Sequence, residues 1–154
     1  MKKTKLPTLL LALALSTPLL SIVAAAEEHE PADGKAVIPA TLAGVWQEIT
    51  EHQEELGQAI AAKKLDGVHE IAFAIRDMVN ALPDRSSLDA DKTARLKANA
   101  KFVAALAARL DESGDANDQA VTEANFKKLQ GVLKAIASLY PPEQLHEAMK
   151  AMGK

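Results

Sequence analysis

The sequence predicts an all-α protein, an up-down-up-down antiparallel four-helix bundle with a flexible N-terminal leader and a short C-terminal helical tail. Three observations predict it. Apolar residues recur in steps of three and four through four successive stretches, which puts each set on one helical face. The breaks between the stretches are short and hold turn-forming residues, so neighbouring helices must run antiparallel. No stretch alternates polar and apolar residues as a strand does.

Residues 1–26 read as a secretory signal peptide. Lys2, Lys3 and Lys5 form a basic start, Leu6 to Val23 an apolar core, and Ala24-Ala25-Ala26 the small residues that signal peptidase requires. No second apolar span follows, so a periplasmic protein without stable membrane insertion is expected after processing. Processing takes three lysines and no acid from 18 basic and 21 acidic residues, which leaves 15 against 21, a net charge of −6. That acidity argues against nucleic acid or anionic lipid as a partner. The absence of cysteine removes disulfides, thiol catalysis and covalent haem attachment.

Residues 27–40 carry Pro31, Gly34 and Pro39 without periodicity and read as the flexible leader. The bundle is expected over residues 41–140. Thr41 suits an N-cap, and the first helix places Leu42, Val45, Trp46, Ile49, Leu56 and Ile60 on one face. Lys63 and Lys64 fit its last turn, where positive charge suits the helix dipole. Asp66 suits the cap of the second helix, whose stripe runs through Val68, Ile71, Ala72, Ile75, Met78, Val79 and Leu82 until Pro83 ends it.

Ser86 or Ser87, with Asp89 and Asp91, signals a third helix that turns Leu96, Asn99, Phe102, Val103, Leu106 and Leu110 inward. Ser113-Gly114-Asp115 reads as its stop. The fourth helix starts near Asn117 or Asp118 and buries Val121, Phe126, Leu129, Val132, Leu133, Ile136 and Tyr140, with Pro141-Pro142 ending it. Residues 141–154 form the tail, in which Glu143 to Met152 suits a short helix. On this phasing His52 and Asn99 face inward at similar heights, where a hydrogen bond would satisfy both. Pairing of His52 with Met78 as metal ligands is the alternative. His69 falls off the apolar stripe, and mid-helix Gly57 and Gly131 imply close helix contact.

Bundle length, export signal and hairpin spacing resemble the periplasmic four-helix cytochromes, the cytochrome c-prime group and its non-covalent b-type relatives. The resemblance implies the bundle over residues 41–140 and no haem. Where the c-prime group carries Cys-x-x-Cys-His, this chain reads Ala137-Ser138-Leu139-Tyr140-Pro141. Where the b-type relatives use an early Met and a late His, the first helix offers Trp46 and Ile49 and the fourth has no His.

Two clusters point to copper. Cleavage after Ala26 gives Glu27-Glu28-His29, in which the free amine, two backbone amides and the imidazole can wrap a square-planar Cu(II) or Ni(II) ion. This resembles the amino-terminal copper and nickel motif of secreted proteins. Cleavage after Ala25 would move His29 to fourth place and break it. In the tail, His146, Met149 and Met152 make a soft donor set suited to Cu(I) or Ag(I), similar to the His-x-x-Met spacing of periplasmic silver- and copper-binding proteins. Leu145, Ala148, Met149 and Met152 are also an amphipathic stripe able to pack on the bundle.

No phosphate loop, His-Glu-x-x-His or nucleophile elbow occurs, so no enzyme is expected. The expected function is binding or buffering of copper in the periplasm. The competing expectation is an accessory protein of the cell envelope that recognises a protein partner. Convergent ligands favour the first, and an apolar surface patch favours the second.

Overall fold

In the computed structural model the described residues are 36–143 and 145. The expected signal peptide and the expected ligands Glu27, Glu28, His29, His146, Met149 and Met152 lie outside them. Four helices follow one another: α1 Leu42–Ala61, α2 Val68–Arg85, α3 Ala90–Asp115 and α4 Gln119–Ala137. Helix α1 packs on α2, α2 on α3 and α3 on α4, and α4 returns more lightly to α1, while the diagonal pairs stay apart. The all-α four-helix bundle is therefore the fold, with no strand among the described residues. No described helix is long and apolar enough to cross a membrane.

The core is built on a repeat of three and four. In α3 Leu96, Ala100, Val103, Ala107, Leu110 and Gly114 form a buried seam of alternating four- and three-residue steps, with Leu106 and Ser113 buried beside it. Leu56, Val68, Ala72, Ile75, Val79 and Leu82 meet it from the first hairpin, all of them fully buried. Burying the valine, leucine and isoleucine side chains among these contributes about 1.5–3 kcal/mol each, which must hold a chain without disulfides together.

This seam keeps Leu96, Val103, Leu106, Leu110, Leu129, Leu133 and Ile136 inside as expected and corrects three positions of hairpin two. Phe102, expected inside, is 62% exposed, and Ala100 takes the inward position beside it. Val121 is 46% exposed, while Thr122 and Asn125 are buried in its place. Asn99 is half-buried. The polar residues are admitted because each finds a partner: Thr122 Oγ1 donates to Ser113 Oγ (3.0 Å) and Asn125 Nδ2 to the Arg109 carbonyl (3.3 Å). The expected His52–Asn99 hydrogen bond is not made. The two residues stand on diagonal helices, and His52 turns to its own helix, with Nδ1 3.3 Å from Glu55.

The helix ends differ from expectation in an instructive way. Lys63 and Lys64 lie beyond α1, where Lys63 adopts the left-handed conformation at φ 58°. Its N–H donates to the Ile60 carbonyl, and that of Lys64 to Ala59, the paired bonds of a Schellman motif. Helix α3 ends the same way. Gly114 stays helical, and Asn117 takes the left-handed turn at φ 51°, with the Asn117 and Asp118 N–H groups donating to Gly114 and Ser113. Asp118 then caps α4 through the Val121 N–H, as Asp89 caps α3 through Lys92.

Gly67 rather than Asp66 is the N-cap of α2, and Pro83 sits inside its last turn rather than ending it. Gly57 does mark a close contact, since a Cβ there would lie 3.3 Å from the Phe126 ring, whereas one at Gly131 would meet nothing.

Candidate functional site

Gly114 positions the site. A Cβ on this buried glycine would lie 3.0 Å from the Leu65 carbonyl oxygen and 3.4 Å from the Val68 Cβ. Only the missing side chain lets the last turn of α3 settle on the connection that starts α2. That contact fixes the register of the two helices. It carries His69, in the first turn of α2, to Asp111 and Asp115, which share one face of α3 at a spacing of four.

One ligand atom from each of these three residues lies within 4.8 Å of the other two. His69 and Asp111 are half-buried and Asp115 is exposed. Donors around one transition ion stand about 3 Å apart, given bonds of about 2.0–2.2 Å. Side chains with this much solvent exposure can close the difference by rotation about their χ angles.

The local electrostatics favour a cation. Asp111, Glu112 and Asp115 crowd the end of α3, and its last turn holds no basic residue. The C-terminal end of a helix is itself partly negative, and like charges four residues apart repel, each effect at about 0.3–1 kcal/mol. A divalent ion between the helices would offset both. One imidazole with two carboxylates is a nitrogen-and-oxygen donor set of intermediate softness, suited to Cu(II) or Zn(II) and poor for Cu(I).

The other described histidine faces a different surface. His52 lies in the α1–α2 groove with its Nε2 3.8 Å from Glu48 and its Nδ1 3.3 Å from Glu55. Met78 lines the same groove from below and is itself buried. The two carboxylates address different ring nitrogens, so they do not converge on one point.

None of the expected ligands near the two termini falls among the described residues, and the structure brings together three residues that sequence reasoning did not. His69 lies off the apolar stripe, so periodicity alone gives it no partner. The spacing of Asp111 and Asp115 was the available signal, together with the rule that the start of α2 must oppose the end of α3. No known family model matches the chain, and no curated protein or solved structure is significantly similar to it.

Proposed function

We propose that this chain is an exported helical-bundle protein that binds copper, as Cu(II), in the periplasm. The observation that carries the proposal is the convergence of His69, Asp111 and Asp115 at the α2–α3 junction. The divalent series places Cu(II) above Zn(II) for a site of this kind. The amino-terminal Glu27-Glu28-His29 motif, created by cleavage after Ala26, serves as a second cupric site, and His146, Met149 and Met152 serve Cu(I). Calorimetric titration of the chain beginning at Glu27 tests this. His29→Ala removes one Cu(II) equivalent, His69→Ala removes a second, and both variants retain full helicity. A chain that takes up no Cu(II) in the His29→Ala form contradicts the bundle site.

The second reading, recognition of an envelope protein, is favoured by a different observation. Phe102 and Val121 stand exposed on the outer side of hairpin two. Contiguous exposed apolar area marks interaction surfaces, and these two side chains are the large apolar groups that hairpin two offers to one. Under that reading Phe102→Ala abolishes partner capture and leaves Cu(II) uptake unchanged.

A further inference from the structure

We infer that the groove between α1 and α2 binds a small organic cation with an apolar body. The groove is open to solvent along its length and offers about 500 Å³, within the volume range of small-molecule sites. Its rim is anionic: Glu48 and Glu55 from α1 and Glu70 from α2 flank His52. Among the described residues no lysine or arginine lines it, and α1 carries neither along its whole length. Among the described residues the nearest partners of the three carboxylates are imidazoles, His52 for Glu48 and Glu55 and His69 for Glu70, rather than a lysine or arginine.

The floor is of the opposite character. Ile71 and Met78 line it, and Ala36, Val37 and Pro39 rise as one wall. This wall is held in place. Ala36 and Ile38 pack against the core, the Pro39 carbonyl accepts from Arg85 Nε (3.3 Å), and a Cβ on Gly44 would lie 2.7 Å from Pro39. The glycine thus lets Pro39 lie against the first turn of α1. Val37, 90% exposed, projects an isopropyl group at the mouth. An anionic rim over an apolar floor selects a ligand with matching parts, a cationic head and a hydrocarbon tail. An anion is repelled by the rim, and a bare cation leaves the floor unfilled.

The test is a methyl and imidazole NMR titration of the chain in excess chelator with three probes: hexyltrimethylammonium, tetramethylammonium and hexanoate. Hexyltrimethylammonium is expected to shift the Ile71 and Met78 methyl and His52 ring resonances saturably. The tailless cation and the anion should each bind at least about tenfold more weakly. The triple change Glu48→Gln, Glu55→Gln and Glu70→Gln, all on exposed or half-exposed side chains, should cost a similar factor for hexyltrimethylammonium and leave helicity intact. Equal shifts with hexanoate, undiminished binding to the triple variant, or no saturable shift with the tailed cation would each overturn the assignment. The chelator keeps this outcome separate from that of the copper site.

Discussion

The rings of Trp46 and Tyr140 meet edge to face, their centroids 5.7 Å apart and their planes at 87°. They close the end of the bundle opposite the His69 junction. Both are buried, and the Tyr140 hydroxyl shares a 2.8 Å hydrogen bond with Ser86 at the end of α2. Burial pushes the Tyr140 hydroxyl above its ordinary pKa of 10.0, against a smaller lowering by the Ser86 bond. The folded state therefore holds this proton more tightly than the unfolded chain does. Its contribution is fully present below about pH 10 and is lost as pH rises through the raised folded value.

Denaturant unfolding at about pH 8 and about pH 11 checks this. The wild-type chain should lose stability between the two, and Tyr140→Phe should lose less. At the lower pH the same variant should cost about 1 kcal/mol, the net worth of one hydrogen bond. Tyr140 is the sole tyrosine, so tyrosinate absorbance reports its titration without interference.

Gly114→Ala should destabilise the fold by about 1–3 kcal/mol, because the new methyl meets the Leu65 backbone, which cannot swing aside. It should weaken metal uptake at His69 as well, by displacing the end of α3. Gly57→Ala is the matched control. Its methyl meets only the far edge of the Phe126 ring at 3.3 Å, which can yield, and a helix-interior alanine recovers about 1 kcal/mol. Thermal unfolding of the two variants should separate them clearly, and equal losses would count against the close-approach account.

Lys63→Gly should stabilise the protein. The residue sits at φ 58° with an exposed side chain, so the change relieves left-handed strain of about 1 kcal/mol. Part of that gain is returned through the freer unfolded chain, about 0.4–1 kcal/mol. Chemical unfolding should show a gain of a few tenths of a kcal/mol, whereas Lys63→Val should show a clear loss.

Hairpin one was legible because its core is made of large residues. Val45, Trp46, Ile49, Leu56 and Ile60 announce one face without competition, and all are buried. In hairpin two Leu96, Val103, Leu106, Leu110, Leu129, Leu133 and Ile136 are buried as expected, and the edges of the stripe differ because alanine does not distinguish its surroundings. Ala100 and Ala107 are buried while Ala94, Ala98, Ala105 and Ala108 are exposed, so the alanines gave no sign that Ala100, and not Phe102, completes the stripe of Leu96, Val103, Leu106 and Leu110. The stop expected at Ser113-Gly114-Asp115 matches the end of α3 at Asp115, but the absent side chain of Gly114 serves helix packing, and Lys63 and Asn117 make the left-handed turns. The His69 site needed more than either pattern. Its two carboxylates are visible on one face of α3, but the histidine joins them only through the register that Gly114 permits.

The most direct test of the copper site is pulsed electron paramagnetic resonance of Cu(II) bound to the His29→Ala, His146→Ala chain. These changes remove the histidine from both terminal motifs and leave the bundle unaltered. The account predicts modulation from a single imidazole nitrogen that disappears when His69 is also replaced by alanine and weakens in Asp111→Asn. A spectrum unchanged by the loss of His69, or no bound Cu(II) at all, would contradict it.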